Sequence, residues 1–499
     1  MKKVIKRTIS LILILISIIS FSSCSFLESI GIKVFFGDSK QTTTTNPITE
    51  VPTTKYPTVS QPTVVPTTKY PTESQPTEVP TTKYPTASQP TEVPTTKHPT
   101  ETKSTVVSTT TEPKEKIVDN IIYDDFQIHF LELGVYNTGD STYIKAGDVD
   151  ILIDAGAIAA SALTIIDYVD DYCEDGVLEY VITTHAHDDH YTGMFGNSKA
   201  TTNFKGEAVS RTGILYYYEV ETLIDFSYSN NVGKSNYNKY EEAVTYAVNK
   251  GTKHYTAEDC FLNENGGQRS FVLDKNKNIT MDILYNKYYF ELSSDENDHS
   301  VCTMFNYNDR HFMFTGDLEE NGEKAMAAYY DASTSEKTLP EVELFKAGHH
   351  GSKTSSNDCL LNIIKPEICC VCCCAGSSEY TNVNDNTFPT QEFINRISKH
   401  TDRVYVTSLL NASKTRETNT NVFESFNGTI IVSSNGDNIG LSASNNLVKL
   451  KDSNWFNELI YVKVNNNGYN IICSGLKQKD YFISTDSGVS QIPRRVWPN

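Results

Sequence analysis

From about residue 119 onward, short apolar runs alternate with polar turns. FQIHFLEL and VDILIDAG are strand-like, and LEYVITTH is a strand that runs straight into a histidine cluster. SALTIIDYVDDYC and YNKYEEAVTYAVNKG space their apolar residues three and four apart, which predicts helices. MDILY, VCTMFNY and HFMFTGD read as strands, and LEENGEKAMAAYY as a helix. VELFKAGHHGS is a strand ending at two histidines; CLLNIIKP and TQEFINRISKH are helices flanking the strand PEICCVCCCAG. NGTIIVSSNGDNIGLSAS reads as a hairpin with an Asn-Gly turn. Strands mixed with helices predict a layered α/β domain over 119–445. Polar, ionisable residues recur just after strand ends, where loops converge on one rim.

The pattern is different before residue 119. Lys2, Lys3, Lys6 and Arg7 precede an apolar stretch from Ile9 to Phe21 and a small-residue exit at Ser22-Ser23-Cys24. That stretch is shorter than the roughly 20 residues a bilayer span needs, so 1–24 reads as a signal peptide. The serines before Cys24 resemble a lipoprotein cleavage site, which makes Cys24 the expected lipidation point. Next comes one 14-residue unit written four times, VPTTKYPTVSQPTV and its variants, starting at 51, 65, 79 and 93. It is rich in Thr and Pro and cannot bury enough surface to offset its ordering entropy. The segment 25–118 is therefore expected to be a disordered, semi-stiff stalk that lifts the domain off the cell surface. The expected location is the extracellular face of the membrane, or the medium after release.

The 499 residues carry a formal net charge of -19. That argues against gripping nucleic acid mainly through a broad basic face. It leaves open a site that handles a phosphodiester through a metal.

The densest chemistry is His185-Ala186-His187-Asp188-Asp189-His190. Imidazole nitrogen and carboxylate oxygen suit zinc or manganese. In a tight loop His185 and His187 can grip one metal while Asp189 and His190 reach a second. The pattern His-x-His-x-Asp-His resembles the signature of the metallo-β-lactamase fold. Asp154 in ILIDAG and Asp317 in FTGDLEE resemble the acids that follow it in that fold. LFKAGHHGSKTS, with His349 and His350, and FLELGVYNTGDS, with Asp140, resemble the ComEC-like branch, the hydrolase domain of a competence DNA-uptake protein. The resemblance implies a four-layer αββα sandwich holding one or two divalent ions, zinc or manganese. It implies metal ligands at His185, His187, Asp189, His190 and Asp317, and at His349 or His350. Asp189, His190 and Asp317 would act in catalysis, with Asp317 bridging. Asp140 and Asp154 would hold histidine tautomers. Ser352 and Lys353 could meet an anionic leaving group.

The chain departs from the branch in places. Glu132 stands for an aspartate, and three residues are inserted before Gly139. Asn297-Asp298-His299-Ser300 offers His299 as a further ligand. Phe388 stands where the branch often has a histidine. The remaining histidines read as ordinary residues: His129 in a strand as packing, His254, His311 and His400 as surface or core, His98 as part of the stalk.

Five cysteines fall within PEICCVCCC. On one strand, Cys370, Cys372 and Cys374 would face one way and Cys369 and Cys373 the other. A strand cannot converge four thiolates on one metal. The run reads as core, with a disulfide to Cys302 or Cys359 as the alternative.

The resemblance implies a surface-tethered metal-dependent hydrolase acting on a phosphodiester or related ester, nucleic acid or cell-wall polymer, through a metal-activated water. The alternatives are a non-catalytic binding module that keeps the fold, and a β-lactamase. The segment 197–296 carries no motif, and 446–499, with WFNELIYVKV and DYFIST, reads either as extra strands against the core or as a small wall-binding appendage.

Overall fold

The computed structural model describes residues 117–499 apart from 135–138, 332–337, 376–387, 411–422, 454–455, 457–458, 465–469, 477–488, 492–496 and 499. The expected signal peptide, Cys24 and all of the stalk before 117 lie outside the described residues, as does the three-residue insertion before Gly139.

The chain first lays down most of one sheet. Strands β1 (Ile117–Asp119), β2 (Phe126–Phe130), β3 (Thr142–Ala146), β4 (Val149–Ile153) and β5 (Val177–Ile182) come first; β6 (Glu219–Asp225) and β7 (Lys253–Thr256) follow. It then builds a second sheet from β8 (Ser270–Asp274), β9 (Ile279–Ile283), β10 (Thr303–Tyr307), β11 (Arg310–Phe314), β12 (Leu344–Lys346), β13 (Ile368–Ala375), β14 (Val404–Leu410) and β15 (Phe423–Ser425). The predicted hairpin, β16 (Ile430–Ser434) and β17 (Ile439–Ala443), returns to the first sheet. The first sheet runs β1-β17-β16-β2-β3-β4-β5-β6-β7, and the second runs β8 to β15 in chain order.

Helices cover both outer faces. Over the first sheet lie α1 (Ser161–Val169), α2 (Asp188–Phe195), α3 (Ile214–Tyr217) and α4 (Ser235–Asn249); α5 (Ala257–Leu262) follows β7. Over the second lie α6 (Glu320–Tyr329), α7 (Asp358–Ile364) and α8 (Gln391–Ile397). The reason is visible in α4, which buries Tyr240, Ala243, Val244 and Ala247, one stripe at helical spacing. Three apolar layers result. Ile165, Leu223 and Tyr240 pack between the first sheet and its helices, and Met326, Leu361 and Phe393 between the second sheet and its helices. Between the sheets, Phe126 meets Phe312 with ring centroids 5.0 Å apart, and Phe130 stacks on Phe314 at 6.0 Å. Burying each such ring contributes about 2–3 kcal/mol. This is the αββα sandwich.

The cysteine strand is core. Cys370 and Cys372 lie in the inter-sheet layer, Cys369 and Cys373 under the helices, as the alternation requires. All four are free, as are Cys302 and Cys359, so the disulfide alternative is not realised there. Burial pushes the Cys369 thiol up to about 12, so it stays protonated. The Cys374 side chain lies outside the described set.

The packed unit reaches slightly beyond 119–445. Strand β1 pairs in parallel with β17 from Ile117 onward, and Leu450 and Phe456 are buried against the second sheet's helices. Among the described residues, no helix is long and apolar enough to cross a membrane.

Candidate metal centre

Parallel strands position the site. β4, β5 and β6 are parallel neighbours in one sheet, and β11, β12 and β13 in the other. The carboxyl ends of β4, β5, β11 and β12 lead into Asp154, the His185–His190 loop, Asp317 and the His349-His350 turn. The two halves of the sequence signal thus meet across the sandwich.

His185 is fully buried, and its Nε2 lies 3.1 Å from His187 Nδ1. Behind it, Nδ1 sits 3.1 Å from Thr184 Oγ1, which donates to Asp154 Oδ2 at 2.7 Å. The Thr184 oxygen is thereby left to accept from His185, whose Nε2 keeps its lone pair for the site. His190 Nδ1 donates to Asp154 Oδ2 at 2.8 Å, and its Nε2 faces Asp317 Oδ2 at 3.2 Å. His350 Nδ1 donates to the Cys372 carbonyl at 2.8 Å, and its Nε2 faces Asp189 Oδ2 at 3.1 Å and Asp317 Oδ2 at 3.8 Å. His190 Nε2 and Asp189 Oδ2 are 3.9 Å apart.

Two donor groups therefore adjoin. One is the imidazole pair His185 and His187. The other is Asp189, His190, Asp317 and His350. Their donor separations of 3.1–3.9 Å match the edges of a tetrahedral shell about an ion bound at roughly 2.0–2.2 Å. The residues present fit a divalent metal. Asp140, rather than Asp189, completes with His190, Asp317 and His350 the group whose ligand atoms all lie within 4.8 Å of one another. Its oxygens, however, face the Nδ1 sides of His190 (3.9 Å) and His350 (3.5 Å) and form an ion pair with Lys346. Asp140 braces the imidazoles, and Asp189 is the carboxylate on their Nε2 side.

The electrostatics suit a cation. Burial opposes charge on His190 and His350, but the carboxylates around them win: His190 is pushed well up and His350 to about 9. His185 goes the other way, lowered by burial and then by His190. For Asp189 and Asp317 burial works upward, yet the adjacent imidazoles hold both carboxyls well below the usual range. The same carboxylates that favour charge on these imidazoles would favour a bound cation.

The His349-His350 turn is strained. Both residues have left-handed backbones, with φ of 47° and 52°, a conformation costing about 1–2 kcal/mol each. The strain sends the two rings apart. His350 points into the donor cluster, while His349 lines a cavity of about 720 Å³ with His187 and Asp189. Of the expected pair, His350 stands beside Asp189 and Asp317, and His349 stands on the cavity wall. The Phe388 ring centroid lies 5.9 Å from those of both histidines. It borders the centre, whose fourth donor is His350.

His299 is fully buried, and neither ring nitrogen has a hydrogen-bond partner. Its neighbour Ser300 touches the centre: Ser300 Oγ accepts from the Asp317 N–H at 2.9 Å and lies 3.5 Å from His185 Nδ1. Ser352 bonds to Thr354 at 3.0 Å inside its own loop, and Lys353 is exposed; neither lines the cavity. His129 is packed as expected, between Tyr168 and Gln127.

Several contributors carried no motif. Lys346 is a lone cation in an apolar strand, and that oddity was its signal. Burial works against its charge, but Asp140 and then Asp317 push its pKa up. Thr184 had no signal beyond standing next to His185. Glu296 and Asn231, which touch Ala186 between His185 and His187, had none.

No known protein-family profile matches the chain. It resembles metallo-β-lactamase fold structures: YhfI of Bacillus subtilis (12% identity, TM-score 0.31, over 56% of this chain and 96% of that one) and the short form of human tRNase Z (12%, 0.29, 56% and 91%). The strand order and the two facing sheets are those of an αββα sandwich, the architecture that the metallo-β-lactamase resemblance implies. The sequence is similar to the competence protein ComA of Neisseria gonorrhoeae, 32% identical over 100 residues. It is also similar to recombination protein 2 of Haemophilus influenzae, 30% identical over 73 residues. These matches cover 20% and 15% of this chain and only 13% and 8% of those proteins.

Proposed function

We propose that this protein is a metal-dependent phosphodiesterase working outside the cell, carried there by the signal peptide and held off the membrane by the stalk. The observation that carries the reading is the pair of adjoining donor groups, two imidazoles beside Asp189, His190, Asp317 and His350. A bound divalent ion supplies Lewis acidity toward a phosphoryl oxygen and lowers the pKa of water. Asp189 orients the attacking water from the cavity side. Asp317, whose Oδ2 faces His190 Nε2 at 3.2 Å and His350 Nε2 at 3.8 Å, would be a carboxylate holding the ion. Asp154, Thr184 and the Cys372 carbonyl hold the imidazole tautomers. Zinc and manganese both suit the donors. The ComA-like stretch supports nucleic acid as substrate; the stalk supports a substrate near the wall.

The test is hydrolysis of bis-p-nitrophenyl phosphate by the protein loaded with zinc or manganese, beside Asp189→Ala. The expected result is turnover that falls at least 100-fold in the variant, with the fold retained. A folded, metal-loaded protein without turnover on any phosphodiester would favour the binding-module reading.

A further inference from the structure

The cavity beside the donor groups has two unlike walls. One carries His187, Asp189 and His349; the other is the start of α4, with Asn231, Lys234 and Ser235. The second wall is tied to the first. The Asn231 amide donates to the Ala186 carbonyl, between His185 and His187, and the Asn231 oxygen accepts from the Lys234 ammonium. The buried Glu296 carboxylate fixes the same joint, accepting from the Ala186 N–H at 3.2 Å and the Asn230 N–H at 2.6 Å. The ammonium is therefore held two hydrogen bonds from the backbone of the histidine loop. Among the described residues that line the cavity, Lys234 is the one lysine or arginine. No acidic residue occupies the first turn of α4 and no side chain caps it; the carboxylates on the cavity wall, Asp188 and Asp189, belong to the histidine loop. In a chain of net charge -19, a tethered cation facing a metal-type donor set calls for an anionic partner.

Resting on the phosphodiesterase reading, we propose that Lys234, positioned by Asn231, is a specificity residue for a second phosphate one link along from the scissile diester. The preferred substrate is then a strand with consecutive phosphates, not an isolated diester. The cavity of about 720 Å³ falls inside the range of about 300–1,000 Å³ that encloses a small-molecule-sized ligand. It has room for the scissile group and a neighbour, not for a duplex. Ile158 on its wall and Val232 beside Lys234 are 48% and 67% exposed. These apolar surfaces suit a nucleobase and offer little to a polyol, so a single-stranded nucleotide strand is favoured. Such a subsite is compatible with the acidic surface, because it engages the strand at two phosphates only.

Two measurements on the metal-loaded full chain test this. The first is calorimetric binding of thymidine 3′,5′-bisphosphate against thymidine 5′-monophosphate. The bisphosphate is expected to bind about tenfold tighter, the size of one charge-assisted contact. Lys234→Met should abolish that difference and leave monophosphate binding within about twofold, whereas Lys234→Arg should keep most of it. The second is hydrolysis of pTpT against TpT, with a glycerol phosphate dimer, terminally phosphorylated or not, in parallel. Lys234→Met should lower kcat/KM for pTpT about tenfold and leave TpT unchanged. A terminal-phosphate effect confined to the glycerol dimer would keep the subsite and assign it to a wall polymer. Equal binding of the two thymidine phosphates, or a preference that Lys234→Met leaves intact, overturns the proposal. Lys234-dependent binding without hydrolysis of any diester would sink the phosphodiesterase reading and leave the anion subsite standing.

Discussion

His299 is enclosed on every side, with Tyr228 and Tyr288 ring centroids 6.1 and 6.3 Å away, and its nitrogens meet no partner. Leaving a buried polar group unpaired costs about 1–3 kcal/mol. The sequence pattern offers ligation as the compensation, and the next residue, Ser300, touches His185. We expect His299→Ala to lower bound metal by one ion per chain, measured by elemental analysis after dialysis; an unchanged stoichiometry would make it a packing residue. Asp154 acts on two imidazoles at once, directly on His190 and through Thr184 on His185. Asp154→Asn should therefore keep the fold and reduce metal affinity or turnover by roughly 10–100-fold. Gly139 is needed for a plainer reason. Its φ is +64°, and a Cβ there would lie 2.0 Å from the Asp189 carbonyl oxygen. A larger residue would push Asp189 out of the donor group.

At the scale of elements, the cysteine strand separates composition from chemistry. The alternation of β13 sends neighbouring thiols into different core layers, so they cannot share an ion. Replacing Cys369, Cys370 or Cys373 singly by Ala or Val should cost up to about 2 kcal/mol in urea denaturation and leave metal content unchanged. Loss of metal in any of these would restore the metal-site reading. The strands that carry site residues were legible because their apolar runs end abruptly in His and Asp. The surrounding elements were less so. β3, β6, β7 and β8 had no such ending and stand in stretches where polar residues dilute the pattern. α4 was legible as a helix, but nothing in YNKYEEAVTYAVNKG says that its start is tied to Ala186. Pairing of that kind depends on tertiary placement, with 45 positions separating Asn231 from Ala186. The choice between His349 and His350 was equally hidden, because it turns on two left-handed backbone conformations.

For the whole molecule, acid is the most informative stress. His129 lies far from the donor cluster in sequence and packing, among Tyr143, Tyr168 and Tyr172. Burial lowers its pKa from 6.5 to about 3. The unfolded chain takes up a proton below pH 6.5 that the folded chain refuses. Stability is thus fully present above about pH 6.5 and falls as pH drops toward 3, by up to ~5 kcal/mol from this one group. The donor cluster adds its own acid sensitivity, since protons displace metal from the imidazoles. The two effects separate by mutation. In the metal-free protein, His129→Gln keeps a polar side chain between Tyr168 and Gln127 but has no proton to gain. Urea midpoints measured from pH 8 to pH 4.5 should fall steeply for the natural sequence and more shallowly for the variant. Parallel curves would mean that His129 is hydrated or protonated in the fold, and that acid instability arises from the carboxylates alone.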